Sequence, residues 1–424
     1  MLEDVRTRVL THSDKGLPSL TGDYQELNPL LEKILVEGFN IQYPNSAAID
    51  QNFILTLTYP SEHFYTNNSV ICFENITQSE YQRNFRVRSV TSTSLTILLD
   101  ETFTEPPALS TDVFTKVAPL GYSIKFKRGT STVYTSPHWD GCLKIDDGMH
   151  PEWNSSYTVF ARVQLALDYT DLETPVHPYY PTSLEITKNS SGVPSGSFVR
   201  IYLNTSTNGA AETSKSALSE RRWYLFGDDK GFYFFNTPNS TSSNSNLFYN
   251  YFGTVLPLNK NTPFLTERSL FCLASYKSTI ATTALTFSTA NSFLATYDTG
   301  GRIANGFFLG PYTHETWISF YGNPLNLSQK YSGGSYTKVP YENSYVLDDY
   351  TLPTYVHIIT NNASEAIAEV RGMRWCATDY EDSSRSEYNY QRYTMTRKDN
   401  SCINLFAMER KAAYVSFDVI SDWD

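Results

Sequence analysis

Between Asn52 and Leu99 the chain passes through four short segments, NFILTLTY, SVICFE, FRVRSV and SLTILL, in which apolar and polar residues alternate with a period of two. That period marks strands with one buried face, because successive side chains on a pleated backbone point to opposite sides. Polar turn residues separate the segments, so the spacing predicts a small antiparallel β module over residues 45–117. TFTEPPALST, Thr102 to Thr111, carries adjacent prolines and reads as a loop near the module's edge.

A helical period is clear in only one place, NPLLEKILVEGF. Asn28 is placed to act as N-cap, and Pro29 suits a first helical position, where no amide hydrogen is needed. Leu30, Leu31, Ile34 and Leu35 form an apolar stripe at helical spacing, and Gly38 is placed to end the helix. A helix this short depends on packing against something else, so the stripe is a candidate packing or docking surface. Residues 1–44 therefore read as an N-terminal arm with one amphipathic helix.

The remaining residues, 118–424, read as a large β-rich domain with long loops. SIKFKR, GCLKID, SFVRIYL, SLFCLAS, ALTFST, YVHIIT and YVSFDVI are strand-like, and TVFARVQLAL could be strand or helix. Asp168 to Thr182 contains Pro175, Pro178 and Pro181 and is predicted to be irregular. KYSGGSYTKVPYENSY reads as a loop. Composition agrees with strands over helices: aromatic residues reach 15%, while charged residues make up 18%, below the roughly 25% of an ordinary domain. The expected fold is mainly β, with a short N-terminal helix, a small antiparallel module and a larger β-sandwich or jelly-roll-like domain.

The most aromatic stretch is RRWYLFGDDKGFYFFN, Arg221 to Asn236. Gly227 to Gly231 reads as the turn of a hairpin, in which an aspartate accepts a nearby backbone amide and the closing glycine tolerates positive φ. Both flanking strands carry bulky groups on both faces, which predicts a hairpin covered on two sides, one of them by a second layer or a neighbouring subunit. Trp223, Tyr224, Phe226, Tyr233 and Phe235 are thus candidate interface residues alongside the helix stripe.

Signals for chemistry are sparse. Asp146-Asp147 and Asp228-Asp229 could be imagined as the two carboxylates of a glycosidase, but neighbours on a strand point apart and neither pair alone supplies that geometry. HWDGCLKIDDGMH holds His138, Asp140, Cys142 and His150 at no metal-binding spacing. There is no G-x-S-x-G, P-loop or H-E-x-x-H motif, and DTGGRIANGF lacks the strand-to-helix context of a phosphate cradle. No catalytic, cofactor-binding or metal-ligating residue is assigned.

A formal net charge of -11 argues against nucleic-acid or anionic-membrane partners. The start MLEDVRTRVL carries acids where a secretory signal would have an apolar core, and no apolar run is long enough to span a bilayer. Cys72, Cys142, Cys272, Cys376 and Cys402 are odd in number and widely spaced, so no disulfide framework is indicated. N-x-S/T triplets, such as those at Asn75 and Asn154, are discounted as glycan acceptors for want of a signal. The expectation is a chain folded in a cytoplasm and not secreted.

The order of several motifs resembles a group of tailed-bacteriophage virion proteins. They are LPSLTGDYQELNPLLEKILVEGF (Leu17 to Phe39), NFRVRSVTSTSLTILL, VAPLGYSIKF, LKIDDG, FARVQLALDYTDLETPVHPYYP, RRWYLFGDDKGFYFF, AEVRGMRW and the terminal FDVISDWD. Where the group usually carries Asn-Gly before the third strand of the small module, this chain has Arg83-Asn84-Phe85. The resemblance implies a non-enzymatic structural protein of the tail, baseplate or neck. It would be made in the bacterial cytoplasm and assembled with other virion proteins and with copies of itself in rings. The alternatives are a receptor- or glycan-binding tail protein, whose tyrosines would form a sugar platform, and a tail-associated polysaccharide hydrolase.

Overall fold

The computed structural model describes residues 7–180, 183–188, 194–195, 199–205, 214–237, 248–257, 266–273 and 275–276, and beyond these a set of strands ending at residue 418. The described residues are mainly β, with one short helix and several antiparallel sheets.

The arm opens with strand β1 (Arg8–Thr11), in a segment whose sequence shows no period. Helix α1 (Leu27–Glu32) follows and continues as one π-type segment, Lys33–Glu37. Asn28 lies inside the helix and is not its N-cap; Glu26 holds that position, and its carboxylate turns back to accept the amides of Thr21, Gly22 and Asp23. Gly38 ends the π segment with φ 77°, and a Cβ there would lie 2.5 Å from the Val117 carbonyl oxygen, so both backbone and space require glycine.

The small module comprises β2 (Phe39–Gln42), β3 (Ser46–Ile49), β4 (Ile54–Thr58), β5 (Val70–Glu74), β6 (Asn84–Val90), β7 (Ser94–Leu98) and β8 (Phe114–Val117). They pair in the order β2-β8-β5-β6-β7-β4-β3, all antiparallel. Alternation is visible residue by residue: Leu55 and Leu57, Val87, and Leu95 and Ile97 are fully buried, while the intervening threonines are not. Residues 101–111 form the expected loop.

A second sheet is built from β9 (Ser123–Arg128), β10 (Ser131–Thr135), β11 (Cys142–Asp146), β12 (Val159–Asp171) and, after β13 (Thr174–Tyr180), β14 (Thr187–Lys188) and β15 (Pro194–Ser195), from β16 (Val199–Asn204). TVFARVQLAL is therefore strand. The segment expected to be irregular is also largely strand, since β12 runs on to Asp171 and β13 pairs with it. Among the described residues β13 pairs with β12 alone and the register slips twice along the pair, an edge position at which Pro175 and Pro178 are tolerated.

The third sheet takes β17 (Trp223–Gly227), β18 (Gly231–Asn236), β19 (Phe248–Pro257) and β20 (Leu270–Leu273), while β21 (Ser275–Tyr276) joins β16. It continues through β22 (Gly306–Leu309), β23 (Phe320–Tyr321) and, past the small pair β24 (Val346–Leu347) and β25 (Tyr350–Thr351), through β26 (Thr354–Thr360), β27 (Ala366–Ala377), β28 (Asn389–Thr396), β29 (Cys402–Arg410) and β30 (Ala413–Asp418). Its order is β1-β17-β18-β19-β20-β22-β23-β26-β27-β30-β29-β28, and β27 also pairs with β19. YVHIIT and most of YVSFDVI are thus strands, whereas ALTFST, KYSGGSYTKVPYENSY, Asp298 to Asn305 and the last residues of FDVISDWD lie outside the described residues.

One contiguous cluster of buried apolar side chains runs through arm, module and both larger sheets, joining Leu30 and Ile34 to Leu57 and Ile97, to Leu143 and Ile201, and to Trp223 and Phe234. The other face of the second sheet is covered as well, by Trp153, Phe160, Ile186 and Tyr202 and by a group around Val133 and Tyr169.

Candidate functional site

The residues singled out in the sequence are drawn into two neighbouring places, the helix cradle and the hairpin tip. Leu30, Leu31, Ile34 and Leu35 are at most 1% exposed, so the stripe packs into the chain's own core. Each helix end is held by a distant segment. Asp147 Oδ2 accepts the Asn28 amide at 2.8 Å, and Asn28 Nδ2 donates to the carbonyls of Thr130 and Ile145. At the other end the amides of Leu120, Gly121 and Tyr122 donate to the carbonyls of Ile34 and Leu35, which the helix cannot satisfy itself.

The hairpin forms as β17 and β18, with Asp228 to Lys230 as its turn. Trp223, Phe226, Tyr233 and Phe235 are buried and Tyr224 is half-buried. Trp223, Leu225, Phe232 and Phe234 face the common core, as period two requires. On the opposite side the Tyr233 hydroxyl donates to the Arg371 carbonyl at 2.8 Å, so β27 supplies part of the second cover.

The tip is a buried polar cluster. Asp228 Oδ1 accepts the amides of Lys230 and Gly231, the turn role expected of it. Its Oδ2 is buried without a hydrogen-bond partner, as are Asp229 Oδ1 and the Tyr122 hydroxyl. Burial pushes the Asp228 carboxyl up to about 6, and the Asp229 charge beside it acts in the same direction, while the amides of Lys230 and Gly231 oppose. Burial also raises Tyr122 and Tyr251 far above the ordinary phenol range, so both are neutral. The segment 136–139 grips this tip: Ser136 Oγ donates to the Asp229 carbonyl, Trp139 Nε1 donates to the Lys230 carbonyl at 2.8 Å, and His138 Nε2 lies 3.2 Å from Asp229 Oδ2. Arg268 fixes the same segment from behind, through Asp140 and the carbonyls of Pro137 and Trp139. Sequence spacing could not reveal this meeting, because hairpin, grip and Tyr122 are separated by loops whose course only the tertiary fold decides.

The other acids have structural partners. Asp146 pairs with Arg162 at 2.5 Å and accepts Thr130 Oγ1. Asp147 is raised above the ordinary carboxylate value by burial, against the Asn28 hydrogen bonds. His138, Asp140, Cys142 and His150 diverge to Asp229, Arg268, Asp168 and Glu185. Burial pushes the Cys142 thiol up to about 12. Among the described residues no group of His, Cys, Asp and Glu is arranged to hold a metal, and no helix is long and apolar enough to cross a membrane.

No family model and no curated protein matches the chain. Among solved structures it aligns with one described as "Phage phi92 endosialidase" at 8% identity, over 91% of this chain and 70% of that chain, with a TM-score of 0.16. A superposition of that quality transfers neither fold nor function.

Proposed function

We propose that the chain is a non-enzymatic structural component of a tailed-bacteriophage virion, acting in the tail, baseplate or neck through contacts with other virion proteins and with copies of itself. The supporting observation is where the motifs of the resemblance go. Four of them, distant in sequence, meet around one helix: the 17–39 segment receives LKIDDG through Asn28 and Asp147, VAPLGYSIKF through Ile34 and Leu35, and RRWYLFGDDKGFYFF through the Arg221 amide on the Leu20 carbonyl at 2.7 Å. These motifs converge on buried hydrogen bonds and apolar packing, which supports a scaffold role for them.

The receptor-binding alternative has one observation of its own. Tyr43, Phe53 and Phe64 on the small module are 52%, 38% and 44% exposed, and exposed rings can stack on sugars. Mass spectrometry and imaging of particles produced by the genome encoding this chain test the main reading. It expects the protein in a ring at fixed copy number, and its absence from particles would overturn it. Glycan binding lost in a Tyr43→Ala, Phe64→Ala double variant would favour the alternative.

A further inference from the structure

We propose that the Asp228-Asp229 turn is a proton-operated latch: protonation of Asp228 fastens the hairpin tip against segment 136–140, and loss of that proton loosens it. The geometry of the tip supports a device of this kind. Asp228 is 1% exposed, and one of its oxygens has neither a donor nor solvent, so its ionised form lies buried beside a second carboxylate. Asp229 in turn meets His138 Nε2 at 3.2 Å, which ties the tip to segment 136–140. The Asp228 proton therefore favours the closed arrangement.

The groups facing Asp228 come from every element packed around it. Asp229 and Lys230 are on its own turn, Tyr122 precedes β9, Tyr251 is on β19 and Arg371 is on β27. Both tyrosines stay neutral. Arg371 keeps its charge and favours the carboxylate, yet its Nε is engaged with Thr254 Oγ1 at 2.8 Å, and burial outweighs it at Asp228.

The sign follows from linkage. Burial holds the Asp228 carboxyl at about 6 when closed, well above the ordinary aspartate range that applies when the tip is open. A raised folded value means stabilisation that is complete below the open-state value and lost as pH rises through the closed one. Between pH 5 and pH 7.5 the opening equilibrium should then shift by about tenfold from Asp228 alone.

Hydrogen exchange, corrected for intrinsic rates, reads this on amides held at the tip: those of Lys230 and Gly231 on Asp228 Oδ1, and that of Thr254 on the Lys230 carbonyl. In the full chain the expected result is about tenfold weaker protection of segments 136–140 and 226–232 at pH 7.5 than at pH 5. Asp228→Asn should abolish most of that difference. Equal protection at both pH values in the unaltered chain would overturn the latch, whether or not the variants fold. So would an Asp228→Asn protein with the original pH dependence.

Discussion

Asp147 lies 119 residues from Asn28, yet its carboxylate does the work of an N-cap for α1. A helix start leaves amides without intrahelical partners, and here the acceptor comes from the end of β11 because Glu26, at the capping position, is turned toward residues 21–23. Asp147→Ala should cost about 2 kcal/mol, the sum of a lost cap and an exposed set of donors on Asn28. The check is the midpoint of urea unfolding, with Asp147→Asn expected to fall between the parent and the alanine variant. Because burial raises the Asp147 carboxyl, ionisation works against the folded state, and the parent's contribution from this site shrinks as pH rises through the folded value. The sequence shows Asn28 as a good capping residue in the right place. It does not show that a carboxylate from another strand already occupies that role.

Strands were the legible elements. NFILTLTY, SVICFE, FRVRSV and SLTILL became β4, β5, β6 and β7 within a residue or two, since one buried face writes period two into the sequence. β12 was ambiguous because both of its faces are covered, which erases that period. β13 was missed because proline rules assume a central strand, and β1 because four residues of RVLT are too few to show a pattern. β1 nevertheless matters: it pairs with β17 from Arg8–Gly227 to Thr11–Tyr224 and buries Leu10 at the edge of the long sheet. Removing residues through Thr11 would bare the backbone of β17 beside Tyr224, an invitation to pair with another chain. The truncated protein should elute as larger, heterogeneous species in size-exclusion chromatography, and a synthetic peptide of residues 7–12 should partly restore the parent profile.

At the scale of the molecule, one continuous interior runs across the boundaries that the changes of hydrophobic period suggest, 44 and 117. Leu30 and Ile34 from the arm, Val117 and Leu57 from the module, and Leu143 and Trp223 from the larger sheets belong to one buried cluster, and polar bonds follow the same lines from Asn28 to Asp147 and from Leu35 to Tyr122. Expressing residues 118–424 alone would strip the helix from that interior and leave its apolar seat facing water. Four fully buried helix side chains at roughly 1.5–3 kcal/mol each exceed what a marginally stable fold can give up. The fragment should therefore show no cooperative thermal transition in its second and third sheets, and should bind a hydrophobic dye. Adding residues 7–44 in trans tests the mechanism: if the seat is what fails, the arm peptide should restore the transition, and Ile34→Ala in that peptide should weaken the rescue. A fragment that unfolds cooperatively at the parent's temperature without the arm would show that the large sheets hold their own core.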